Sequence, residues 1–598
     1  MGNKHKVLIK ILDSIRSETP TRLSNVYMPV DSDPDKLKAK ENGARSRAYI
    51  HLFLKGYFGV DSFDERESWI TDGPGDGGID AYYIDCRNKT IYFIQSKFRE
   101  TAENWENKEI NISELLSMQI GRILDGQLNG EDGIPYNASI NKLRKEIGKL
   151  NDYSEYSKTV IILANLVKYD QKDLRRIIGK YGFEIFDTKK YWSDIIFPLV
   201  SGRLTNADKV SLRLSIEGSD DAPWFMKHSV NTEFGKCDNF VVYVPIKEIG
   251  EFLYKYKNSV LDYNPRCYLG MKKQKVNGKI KSSVTKTKNN NFSLLNNGIT
   301  IMAKNTTISD DRSNALVCMY NPQIINGGQT AFTLASIYKE CMKTRDYSIF
   351  KNKSVLVRII NINDRMKKTQ QLKLIESVSR ATNEQTPVAA ADKCSNDQLI
   401  VDLQEYLLDA YGVFLRRKQG EFSEGEDYGY ISDDQLINID IFMRVACSAS
   451  GDPTKARRSG DNVIFNENNI KKLLSDNKEI NKYMFAYFCY RYLFSVENAL
   501  AASGRDKYGS EIYGYALRYA KYAVVCASAK SFDSRWQIKD YNKQAKRITQ
   551  QVLDMWLDFE TTVKDYSTNE GYFSPNYDYD GYYKGKTLNQ DIATYSFN

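Results

Sequence analysis

Residues 75–98 read GDGGIDAYYIDCRNKTIYFIQSKF. A glycine-rich turn leads into Ile79–Asp85, and Thr90–Phe98 returns as a run of β-branched and aromatic residues, a pattern that predicts a β-hairpin. A two-residue turn at Arg87 and Asn88 sets Ile84 opposite Ile91 and Asp80 opposite Gln95. Side chains alternate along a strand and cross-strand neighbours share a face, so Asp80, Gln95 and Lys97 are expected to converge. A slip of one residue would separate them.

Outward from the hairpin, an α/β pattern emerges. Asp35–Phe58 reads as a helix with apolar positions at Leu37, Ala44, Ala48 and Leu52. Ser113–Gln127 is expected as a helix, Thr159–Asn165 as a buried strand, Gln171–Tyr181 as a helix and Phe183–Asp187 as a strand. Together they predict an α/β domain over residues 1–205. A second α/β (α+β) region is expected over 230–430. It includes a lysine-rich loop, strand-like LLNNGITIMA, a strand at Val355–Ile362 and a helix at Lys367–Ser379. Residues 431–598 read as mainly helical, and their tyrosine- and glycine-rich tail from about Asp565 is expected to be poorly ordered.

Composition narrows the chemistry. With 598 residues, several domains are expected. The longest clear apolar run, Val160–Val167, is too short to cross a bilayer, and the N-terminus lacks the apolar stretch of a signal peptide. A cytoplasmic protein without membrane contact is therefore expected. Nine scattered cysteines, none in a CxxC pair, read as reduced packing thiols. Three histidines (His5, His51, His228) argue against a zinc site or a Ser-His-Asp triad. Carboxylates, lysine and a hard metal ion remain as the expected means of catalysis.

Phosphodiester hydrolysis uses such a set. A carboxylate and an amide oxygen suit Mg2+, with Mn2+ as an alternative. A nearby lysine can orient water and offset charge building on phosphate. The pattern Gly78-Ile79-Asp80 followed by Gln95-Ser96-Lys97 resembles the PD-(D/E)xK nuclease superfamily in its Mrr-like variant, where QxK replaces (D/E)xK. The resemblance implies a restriction-endonuclease-like fold, with Asp80 and Gln95 as metal ligands and Lys97 as the catalytic cation. It also implies a further acid from the preceding helix. Glu41 is the candidate, because it extends the apolar stripe of Ala44, Ala48 and Leu52. Glu65 and Glu67 compete for that role, while Asp76 is expected to shape its turn, with approach to the metal as its alternative.

Further along the chain, four phrases resemble the abortive-infection phage-resistance (AIPR) family. They are NPRCYLG (264–270), NNGIT (296–300), NPQIINGGQT (321–330) and ATNEQTPV (381–388). That resemblance implies a role in bacterial defence against phage. Asn297, Asn326, Gln329 and Asn383 either converge on a nucleic acid or nucleotide, or form a buried amide network that holds loops together. Lys272, Lys273, Lys275, Lys279 and Lys281, with Arg416, Arg417 and Lys418, are candidate contacts to a nucleic-acid backbone. The expected function is a Mg2+-dependent endonuclease of anti-phage defence acting on DNA, with a phage component as trigger and a homo-oligomer as a further expectation. The alternative is a nucleic-acid-binding sensor that does not cleave.

Overall fold

In the computed structural model, residues 2–597 are described except 87, 203–206, 208, 217–222, 234, 262–263, 265–274, 287–290, 310–314, 363–365, 367, 384–393, 396, 419 and 575–576. The chain divides into two units, residues 1–385 with 420–433, and residues 386–419 with 434–598. The stretch 386–419 thus groups with the C-terminal helices, so the division runs through the middle region. Among the described residues, no helix is long and apolar enough to cross a membrane.

The first unit opens with α1 (Asn3–Ser17) and the long α2 (Pro34–Phe58). Sequence sets both ends of α2. Asp33 caps the N-terminus by accepting from the Asp35 and Lys36 amides, Pro34 takes the first helical position, and Gly59 closes it at φ 70°. The hairpin follows as β1 (Ala81–Asp85) and β2 (Thr90–Ser96), antiparallel, with Ile84 opposite Ile91 as expected. β3 (Ser157–Leu163) and β4 (Gly182–Phe186), joined through α3 (Gln171–Ile178), extend the sheet in parallel, giving the order β1-β2-β3-β4. One face of this sheet packs a core that includes Tyr82, Phe93, Val160, Ile162, Leu174 and Ile178. The helix expected over Ser113–Gln127 is much shorter. Residues Ile112–Glu114 form a single 3-10 turn and a helix resumes only at Ile120–Leu124. Between them, loop backbone is used by the side chain of Gln95, as described below.

The same unit holds two further sheets. β6 (Phe225–Thr232), β7 (Gly235–Pro245), β8 (Ile299–Ala303), β11 (Gln323–Asn326) and β12 (Ser354–Asn361) form a five-stranded sheet ordered β11-β8-β12-β7-β6. β5 (Lys209–Arg213), β9 (Asn305–Ile308) and β10 (Leu316–Tyr320) make a smaller one. Helices α4 (Ile246–Tyr256) and α6 (Gly328–Thr344) contribute Phe252, Leu253, Leu334 and Ile337 to the core that these strands share. The lysine-rich stretch, expected as a loop, contains the helix α5 (Lys275–Thr285), whose Val284 is buried. α7 (Lys368–Asn383) follows β12, and the returning segment 420–433 adds a short helix at Ser423–Asp427.

In the second unit, α8 (Gln398–Tyr411) and a two-stranded parallel pair, β13 (Phe414–Arg416) with β14 (Leu436–Asn438), precede a helical assembly. Its centre comprises α9 (Ile439–Ala449), α10 (Asn477–Ala502), α11 (Lys521–Ala529), α12 (Tyr541–Asp554) and α13 (Trp556–Lys564). The described residues of the tail are folded, contrary to expectation. Tyr582 and Tyr583 are wholly buried, Tyr583 accepts from Trp556 Nε1 at 3.0 Å, and a helix spans Leu588–Thr594. A tyrosine-rich segment reads as polar by composition, yet each ring brings a large apolar surface once its hydroxyl finds a partner.

Candidate functional site

The glycine-rich turn before β1 is held in place from several sides. Gly78 lies at φ +76°, and a β-carbon there would sit 2.5 Å from Ser117 O. Gly75, at φ +77°, is equally close to Pro135 O, at 2.6 Å. Only glycine permits both the conformation and the approach. The Asp76 carboxylate spans the turn, accepting from Gly78 N at 2.8 Å and Gly73 N at 3.2 Å, the turn-shaping role expected of it. Across the turn, the amides of Thr71 and Asp72 both donate to Asp80 O, at 2.9 and 3.0 Å.

These constraints gather three carboxylates. One oxygen each from Asp72, Asp76 and Asp80 lies within 4.8 Å of the other two. Asp80 is the innermost, 9% exposed, and its Oδ2 accepts from the Ser96 amide at 2.6 Å. Burial pushes its carboxyl up to about 7; Asp72 and Asp76 add to the rise, while the Ser96 amide and the Lys97 ammonium oppose it. Burial likewise raises Asp76, again against the pull of Lys97. Lys97 therefore acts on both acids. Its own backbone is anchored where β2 ends, with its amide donating to Leu163 O at 2.9 Å.

The predicted ligands divide. Gln95 is buried, and its amide is committed to main chain. Nε2 donates to Gly78 O at 2.7 Å and to Leu116 O at 3.0 Å, while Oε1 accepts from Leu116 N at 3.1 Å. It ties the glycine turn to the loop in place of the expected helix. Glu41 is not one of the three clustered acids; half-buried on α2, its charge acts on Arg45. Of its competitors, Glu65 is exposed and Glu67 is bound to Arg47 and His51. The acid that sequence reasoning missed is Asp72. It lies outside both strands, and only the fold of the turn brings it back to Asp80.

Three hard oxygen donors with a lysine at their edge suit a divalent cation such as Mg2+ or Mn2+, which takes few protein ligands and keeps several waters. The donor set fits through Asp72, Asp76 and Asp80, with no need of Gln95 or Glu41. A buried acid whose proton is held to about neutral pH between two other acids also has a large electrostatic incentive to accept a cation.

The remaining candidates lie elsewhere. Asn326 Oδ1 accepts from Gly327 N at 2.5 Å where α6 begins, Gln329 is half-buried in the first turn of that helix, and Asn297 is exposed. Around them Asn264 donates to Ile324 O (3.1 Å) and Asn296 to Thr330 Oγ1 (3.1 Å), amides that hold turns together. Asn383 ends α7, and its side chain lies outside the described residues, as do Lys272, Lys273 and the side chain of Lys275. Lys279 is exposed on α5, whereas Lys281 pairs with Glu340 at 2.7 Å. The basic triplet departs from expectation. Arg417 and Lys418 are 5% and 3% exposed and Arg417 donates to Ser395 O, so neither presents a solvent-facing phosphate contact; Arg416 is half-buried in β13. Consecutive cations read as a solvated face, but here the two that follow β13 are buried.

No curated protein and no solved structure matches the chain. Residues 261–571, a stretch that begins well after the acidic cluster, match the family model described as AIPR protein. That match spans more than half of the 598 residues, and the chain belongs to the AIPR family.

Proposed function

We propose that this AIPR protein is a divalent-cation-dependent nuclease whose site is the acidic cluster at Asp80. The family suggests anti-phage abortive-infection defence. The observation that carries the reading is the convergence of Asp72, Asp76 and Asp80 beside Lys97, at the end of β2 in a β1-β2-β3-β4 sheet. An antiparallel hairpin continued by parallel strands, with the acids and the lysine at one edge, is compatible with a restriction-endonuclease-like core. The three carboxylates would hold the ion, Asp80 having to release its proton first. A bound divalent ion polarises a phosphoryl oxygen and acidifies its water. Lys97 orients that water and offsets charge gathering on the phosphate. Gln95 keeps the turn and the 112–119 loop in register so that Asp80 stays beside Lys97.

The test is incubation of the purified chain with plasmid DNA, phage DNA and RNA in Mg2+, Mn2+ or EDTA. Cleavage of DNA that needs the cation and is lost in Asp80→Ala and Lys97→Ala is expected. Equal cleavage by the wild type and Lys97→Ala would refute the mechanism. One observation favours a second reading: the amide of Gln95, the middle member of the motif, is taken up by main chain. A core of that kind could grip nucleic acid without cutting it. That reading predicts binding that weakens steeply with salt, no product with any divalent ion, and phage protection retained by Lys97→Ala.

A further inference from the structure

Asp72 is the most exposed member of the acidic cluster, with nearly half of its side chain in solvent. A carboxylate so placed would ordinarily swing freely, yet Arg47, reaching over from α2, grips it. Arg47 Nη1 donates to Asp72 O at 3.2 Å and lies 3.6 Å from Asp72 Oδ2. The other edges of the same guanidinium are fixed: Nη2 donates to Glu67 Oε1 at 2.8 Å and Nε to Tyr27 Oη at 2.9 Å. Behind them, His51 Nε2 lies 3.0 Å from Glu67 Oε2 and 2.7 Å from Tyr27 Oη, and Arg66 Nε donates to His51 Nδ1 at 3.2 Å. His51 and Arg66 are wholly buried. The fork of an arginine is the one side chain that can make all three contacts in a plane.

We infer that Arg47 is a positioning residue for the acidic cluster: by clamping both the carbonyl and the carboxylate of Asp72 to a buried Tyr27–His51–Glu67 frame, it presents Asp72 to a divalent cation shared with Asp76 and Asp80. The inference rests on the cation-site reading above and deepens it. A simple charge argument gives the opposite sign, which makes the two separable. A guanidinium that merely stood near the cluster would repel a cation, and its loss would tighten binding. As a clamp, its loss loosens binding.

The test is Mn2+ affinity of the full chain, measured by calorimetry without substrate. Arg47→Lys keeps the charge and loses the fork, and weaker binding on the order of ten- to a hundred-fold is expected, the range usual for residues that orient a ligand. Asp72→Asn should lose a similar amount, and the double variant should be no weaker than Asp72→Asn alone, because Arg47 acts through Asp72. Should Arg47→Lys fail to fold, Tyr27→Phe, which removes the hydrogen bond to Nε, should weaken binding in the same direction by less. Mn2+ bound as tightly or more tightly by Arg47→Lys, or losses that add in the double variant, would overturn the inference and leave the site reading intact. A wild type that does not bind Mn2+, or an Asp80→Asn variant that binds it equally well, removes the site reading and the clamp with it.

Discussion

Replacing Asp80 with asparagine tests the electrostatics of the cluster without any assay of cleavage. In the cation-free protein the Asp80 carboxyl is raised from an ordinary 3.8 to about 7, first by burial and then by Asp72 and Asp76. A carboxyl raised in the folded state is protonated there while its unfolded counterpart has already ionised. Its contribution is full below the unfolded value and is lost as pH climbs from about 4 to about 7. Three pH units at 1.36 kcal/mol each make a penalty of about 4 kcal/mol above pH 7. At pH 5 only about 1–2 kcal/mol of it has appeared. Asparagine keeps an oxygen for the Ser96 amide and does not titrate. In EDTA, Asp80→Asn should therefore gain on the wild type by about 3 kcal/mol between pH 5 and pH 8. Urea titration read by hydrogen exchange of peptides spanning β1 and β2 isolates this unit from the helical one. A difference between the two proteins that stays constant from pH 5 to pH 8 would refute the reasoning.

Two other perturbations probe the frame. Gly78→Ala must adopt φ +76° and place a methyl 2.5 Å from Ser117 O; the backbone strain alone is worth about 1–3 kcal/mol. Early proteolysis within residues 71–80 and loss of Mn2+ binding are expected, and a wild-type digestion pattern would contradict the packing described. In the helical unit, Glu560 is 2% exposed, accepts from the Tyr515 amide at 3.0 Å, and burial holds its carboxyl up at about 7. The sign is the same as for Asp80, so this unit should lose stability as pH rises from about 4.5 to about 7, and Glu560→Gln should flatten the fall. Thermal unfolding followed by circular dichroism at pH 5 and pH 8 measures it; equal slopes for both proteins would reject it.

Sequence alone determined what depends on local periodicity. The hairpin register followed from turn length and alternation, and the ends of α2 followed from an aspartate cap, a proline and a closing glycine. The helical character of the C-terminal region was equally visible. So was the neighbourhood of Asp80 and Lys97, because both flank one hairpin. Tertiary structure alone decided which polar groups are free for chemistry. Gln95 carries the right atom for a metal, but a loop in place of an expected helix leaves backbone groups of Leu116 that its amide satisfies. Asp72 is separated from Asp80 by a turn whose path depends on glycines pressed against Ser117 and Pro135, contacts made by distant residues. The fate of Arg417, Lys418 and the tyrosine-rich tail was also hidden. Composition marks a cation or a hydroxyl as polar, while burial is set by the partners that the rest of the chain brings to it.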